Sequence, residues 1–246
     1  MLENYVVLDL TDERGEIGPM LLGDLGADVI RIETIRGSSA RRCGPFMKNA
    51  AKDMQSLQFI AFNRNKRSIV LDPTTTEGKT DLQELIRRAD FIFVSAPRAE
   101  VDQLSISFEE TCSINPRIVY VKISPFGHDG PHAGLSSNDL VIAALAGPVS
   151  LQGIPDRAPV RVSVPQVWRH TGVEAAAGAM AALHRMHKVG EAQFVDVSAQ
   201  CTMTWTMLTH LLSRPHNPFP PAASRPAPDR HGGTDRPGSP RTGRVG

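Results

Sequence analysis

The sequence predicts an α/β fold, a parallel sheet with helices on both faces. Three observations carry that prediction. Short apolar runs alternate with amphipathic stretches at the spacing of β-α-β units, whose strands pair in parallel and whose crossovers cover both sides of the sheet. The 246 residues are 41% apolar and 22% charged, the balance of a soluble globular chain able to form one large domain or two small ones. Cations and amides gather before one predicted strand, in Phe62-Asn63-Arg64-Asn65-Lys66-Arg67-Ser68, which marks a candidate anion site. A solvated basic turn is the other reading of the same run.

The elements follow in order. Tyr5–Leu10 reads as a buried strand, Ile17–Leu25 as a helix stopped by Gly26, and Asp28–Glu33 as a second strand. Ser68–Leu71 is a third strand. Thr74–Arg88 is a helix, with threonine hydroxyls to cap it and Leu82, Leu85 and Ile86 along one face. Phe91–Val94 is a fourth strand, Phe108–Ile114 a short helix ended by Asn115-Pro116, and Ile118–Ile123 a fifth strand. From Asp139 the pattern changes: Asp139–Leu145 is an apolar segment of small residues, Gln166–Lys188 a long Ala- and Gly-rich helix, Gln193–Val197 a strand and Ala199–Leu212 a helix. From Arg214 eight of the last 33 residues are Pro and five are Gly, too little apolar area to offset ordering, so 214–246 is expected to be a disordered tail after a domain at 1–213. A genuine tail and translation in a shifted frame both fit that abrupt change.

Several function classes are disfavoured. The net charge of +1 divides into a body of net −3 and a tail with six Arg and two Asp, which does not describe a nucleic-acid binder. Cys43, Cys112 and Cys201 are scattered, so a disulfide framework or cysteine zinc site is not expected and a reducing cytoplasm is. No apolar run reaches membrane-spanning length, and Met1–Asn4 does not begin a signal peptide. Thr11–Gly18 after the first strand is not the glycine fingerprint of dinucleotide folds, and neither a P-loop nor a G-x-S-x-G elbow occurs. His184 and His187 lack a third metal ligand, so no metal is expected.

The order of certain segments resembles the family III CoA-transferases. They are Val7–Thr11, Leu22–Glu33, Asn65–Ile69, Asn115–Tyr120, Ser124–Pro131, Pro159–Val162 and Gly190–Ser198, spread over residues 5–213. The resemblance implies a Rossmann-like large domain, a smaller second domain that this chain would lack, and an interlocked homodimer that such a chain would complete poorly. It implies acyl-CoA and a small carboxylic acid as substrates, with no permanently bound cofactor. CoA would run along Asn63, Arg64, Asn65 and Lys66, with Ser95, Ala96 and Pro97 after the fourth strand and Ser124, Pro125, Phe126 and Gly127 after the fifth. Thr34 stands where the resemblance implies an arginine, with Arg31, Arg36, Arg41 and Arg42 near it in sequence.

In this family an aspartate attacks the thioester and carries the CoA in turn. The register from Ala181-Ala182-Leu183 and Gly172 puts that position at Trp168, which cannot be a nucleophile. Asp139 and Glu174 are the substitute carboxylates, each with a plain alternative: a helix cap for Asp139, a polar position on an Ala-rich helix for Glu174. His170 could orient or protonate a substrate. A chain that binds CoA without chemistry is the remaining reading.

Overall fold

A computed structural model describes residues 1–51, 55–154 and 157–208. Six strands form one parallel sheet: β1 (Val6–Leu10), β2 (Asp28–Glu33), β3 (Lys66–Val70), β4 (Phe91–Val94), β5 (Val119–Ser124) and β6 (Gln193–Ser198). Their spatial order is β3-β2-β1-β4-β5-β6, so the winding reverses between β1 and β4. In sheets wound this way, ligands lie beyond the carboxyl ends of the strands at that reversal.

The strands read as continuous apolar runs because both faces are buried. Val7, Phe91, Phe93, Val119 and Val121 face one side with Leu22, Ala175, Ala179 and Leu183. Leu8, Ile92, Val94 and Tyr120 face the other with Leu82 and Ile86. The first layer is α1 (Ile17–Asp24) and α7 (Val167–Val189), whose contact is very close. A Cβ on Gly172 would meet the Ile17 side chain at 2.8 Å and the Gly18 nitrogen at 3.2 Å, so these glycines allow the two helices to touch. The second layer contains α3 (Thr76–Arg88), capped by the Thr75 hydroxyl, and α5 (Phe108–Ile114), closed by Asn115.

The expected elements are present, with shifted ends: β3 begins at Lys66 rather than Ser68, and α6 (Asp139–Ala146) is a regular helix. Two short helices escaped the pattern, α2 (Leu57–Phe62) and α4 (Arg98–Leu104). Both are short, and unlike α5, which Asn115-Pro116 closes, neither is followed by a proline stop that marks it in the sequence. The last helix, α8, spans Ala199–Thr206. The expected tail at 214–246 and the predicted end of that helix at Leu212 lie outside the described residues. No described helix is long and apolar enough to cross a membrane.

Candidate functional site

The carboxyl ends of β1 to β4 converge on a cavity of about 230 Å³ at the reversal point. Leu10, Thr11 and Asp12 form its wall after β1, Glu33, Thr34, Gly37 and Ser38 after β2, Leu71 and Pro73 after β3, and Ser95 and Ala96 after β4. Gly37 turns at φ +69°, a left-handed conformation that swings the chain back over the cavity. The Ser95 hydroxyl donates to Asp12 Oδ1 at 2.9 Å and accepts from the Asp12 amide at 2.9 Å, fixing the β1 loop to the β4 turn. The lining side chains include three carboxylates, Asp12, Glu33 and Glu100, and no lysine or arginine.

The cations sit behind the wall. Asp9 and Arg31 are paired in register on β1 and β2, so both side chains point to the same face. Arg31 Nη1 donates to Asp9 Oδ2 at 2.9 Å, and Lys66 Nζ donates to the same oxygen at 2.7 Å. Lys66 also donates to the Glu16 carbonyl at 2.7 Å and to Asn63 Oδ1 at 2.9 Å. Burial alone would raise the Asp9 carboxyl, but Lys66 and Arg31 outweigh it and bring its pKa down to about 2. Burial pushes Lys66 below the usual lysine range against the pull of Asp9. It pushes Glu16 up to about 7 despite Asn63, Arg31 and Lys66. Glu16 Oε1 and Arg31 Nε are buried without hydrogen-bond partners among the described residues. Glu33 is gripped by Arg41 through contacts of 2.7 and 2.6 Å, and the Arg41 guanidinium lies 4.0 Å over the Phe59 ring.

This geometry separates the residues that the sequence grouped. Thr34, Ser95 and Ala96 line the cavity, and Pro97 caps α4 beside it. The Asn63–Lys66 run does not line it. Asn63 donates to Glu16 Oε2 at 2.8 Å, and both Arg64 and Asn65 bind Asp24, at 2.6 and 2.9 Å. The Lys66 side chain is 1% exposed. The run enters a strand at the amino edge of the sheet, and the long lysine chain reaches inward to Asp9 instead of outward to solvent. Arg31, also 1% exposed, stands behind the wall. On the far side of the sheet, the Ser124 hydroxyl accepts the Gly127 amide at 2.9 Å, the Pro125 carbonyl accepts the Gln200 amide at 3.0 Å and Phe126 packs edge-on to His132. Gly127 turns at φ +98° against Asp196. Sequence reading missed Thr11, Asp12, Gly37 and Ser38. Their position just beyond strands β1 and β2 was the available signal.

A second cavity, of about 170 Å³, opens where α6, α7 and α8 meet. Its wall is largely apolar, with Leu140, Val149, Val164, Val167 and Met203, and it carries Asp139, Arg161 and His170. Asp139 Oδ2 accepts the Val167 amide at 2.8 Å, so the carboxylate sits at the positive end of α7. The cap and the cavity wall are thus the same side chain. Trp168, the next residue, is buried with Ile142, Ala146 and Met203. Glu174 is exposed farther along α7 and lines neither of these cavities.

The model for CoA-transferase family III matches residues 2–243. The chain belongs to CoA-transferase family III. It is 34% identical over 194 residues to the succinyl-CoA:(R)-benzylsuccinate CoA-transferase subunit BbsE of Thauera aromatica, covering 79% of this chain and 47% of that protein. It is 36% identical over 200 residues to a formyl-CoA:oxalate CoA-transferase of Streptomyces avermitilis, covering 81% and 48%. Among solved structures, a CaiB/BaiF family protein from Brucella suis superposes with a TM-score of 0.83 at 29% identity, covering 89% of this chain and 58% of that one. The chain spans about half the length of the curated relatives it matches.

Proposed function

We propose that this chain serves CoA transfer between acyl-CoA thioesters and small carboxylic acids. The nucleoside end of CoA occupies the cavity at the carboxyl edge, and Asp139 acts as the acyl acceptor. The observation that carries this reading is the Asp139 carboxylate, held by the Val167 amide on a cavity wall. That amide adjoins Trp168, the position where the family places its nucleophile. One carboxylate oxygen is tethered, and the other has no hydrogen bond to a described residue, leaving it available to a substrate.

The sequence of bonds is simple. A carboxylate oxygen of Asp139 attacks the thioester carbonyl, the C–S bond breaks, and CoA leaves as its thiolate, giving a mixed anhydride. The thiolate attacks the aspartyl carbonyl of that anhydride and releases the donor acid, so Asp139 carries the CoA as a thioester. The acceptor carboxylate repeats the exchange and takes the CoA, restoring Asp139. No net proton is consumed. Arg161 and His170, on the same cavity wall, are suited to hold substrate carboxylates. In this reading CoA is a substrate and not a resident cofactor, and the three scattered cysteines suit a cytoplasmic reaction.

Trp168 favours a second reading, in which the chain binds CoA as a non-catalytic subunit. The Thauera relative is itself named as a subunit. Trapping decides between the two. Incubation with an acyl-CoA, followed by hydroxylamine or borohydride and peptide mass spectrometry, is expected to mark Asp139. A folded, CoA-binding protein that yields no adduct supports the second reading. A mark on Glu174 would move the chemistry to an exposed position two turns farther along α7.

A further inference from the structure

We propose that Arg31 is a positioning residue for the cavity at the carboxyl edge, holding its two walls in register without touching the ligand. The inference rests on the proposed CoA site. The guanidinium is 1% exposed and anchored at one end by Asp9 at 2.9 Å. Its Nη2 end forks between the walls, donating to the Thr11 carbonyl after β1 at 3.1 Å and to the Ser38 hydroxyl after β2 at 2.9 Å. Both Thr11 and Ser38 line the cavity. Ser38 passes the constraint on: its hydroxyl accepts the Ala40 amide at 3.2 Å, and its own amide donates to Glu33 Oε2 at 2.9 Å. Arg31 thus ties the turn Gly37–Ala40 to the β1 wall through Ser38, while Ser39 is held to Glu13 and the Ala40 carbonyl to Ser56.

A lysine could not take this role. An ammonium on a flexible stem lacks the planar fork that reaches a carboxylate, a carbonyl and a hydroxyl at fixed angles. The charge requirement at Asp9 is already shared by Lys66 at 2.7 Å, so the distinctive contribution of Arg31 is geometric.

The test uses the whole chain and CoA as the titrant. Arg31→Lys is expected to weaken CoA binding by about 10-fold, because the ligand would then have to order a wall that the arginine otherwise holds in place. Ser38→Ala should weaken it about 3-fold, and the double variant should lose no more than Arg31→Lys alone, because both break one link. Arg87→Ala, on the exposed face of α3, should bind as wild type. In the ligand-free protein, Arg31→Lys should speed amide exchange at Ala40 while the amides of β4 and β5 keep their protection. Wild-type-like CoA affinity in both variants would overturn the proposal, as would additive losses. If the wild type binds no CoA, the functional reading fails and Ala40 exchange decides this one: an unchanged rate would overturn it.

Discussion

The carboxyl edge of β1–β4 and the cavity at the head of α7 treat charge in opposite ways. At the first, Arg31 and Lys66 are paired with Asp9 behind the wall, Arg41 holds Glu33 of the wall itself, and the exposed lining is hydroxyls, backbone and carboxylates. At the second, the wall is apolar and Asp139 keeps one oxygen without a hydrogen bond to a described residue. In the function proposed above, charge at the first region shapes the cavity and charge at the second does the chemistry. A cationic side chain near a proposed phosphate site is therefore no guide to binding until its partner is known.

Removing the available charge should have the largest effect. Asp139→Asn preserves the shape and leaves a much poorer nucleophile, so transfer should fall by at least about 1,000-fold while CoA binding persists. Unchanged turnover would remove Asp139 from the chemistry and break the contrast.

The shaping charges should instead register as stability. Asp9→Asn leaves Arg31 and Lys66 buried beside a neutral amide, and the cost is expected to be about 3–5 kcal/mol in urea unfolding. A loss below 1 kcal/mol would mean that the cluster is not the framework described above.

Glu16 sharpens the comparison through pH. Its folded pKa is raised from 4.5 to about 7. Below pH 4.5 it is protonated in both states. As the pH rises toward 7 the unfolded chain releases a proton that the folded one keeps, so its contribution to stability falls. Asp9 and Glu33, lowered from 3.8 and 4.5 to about 2, act in the opposite sense: their contribution is full above the unfolded values and is lost as the pH falls through about 2. Glu16→Gln should therefore flatten the decline between pH 5 and 8 and raise stability at pH 8 by roughly 2–3 kcal/mol. An identical pH slope in wild type and variant would exclude Glu16 as its source.

The smallest effect belongs to Arg64, half-exposed and paired with Asp24. Arg64→Ala should cost under about 1 kcal/mol and leave CoA affinity unchanged. A large loss of affinity would return phosphate binding to the basic run.

Much of the fold was legible because strands buried on both faces are written as unbroken apolar runs, and YVVLDL, DVIRIE, FIFV and IVYVKI each became a strand. Short helices such as α2 and α4, with no proline stop after them, do not announce themselves. Ser95, Ala96 and Thr34, which the family resemblance had singled out, line the cavity because each stands just beyond the end of a strand. Lys66 was misplaced because its role depends on Asp9, 57 residues away in the chain. Asp139 stood before Glu174 as a candidate carboxylate because its segment borders the active site in the family; the fold adds that it meets the head of α7 while Glu174 is exposed.

The sequence by itself determined the parallel α/β architecture, the order of its segments and membership of the family, since periodicity and segment order are written along the chain. Tertiary structure decided which charges line a cavity and which face each other. That choice follows from strand register and the direction of long side chains, which bring Asp9, Arg31 and Lys66 together from three different strands.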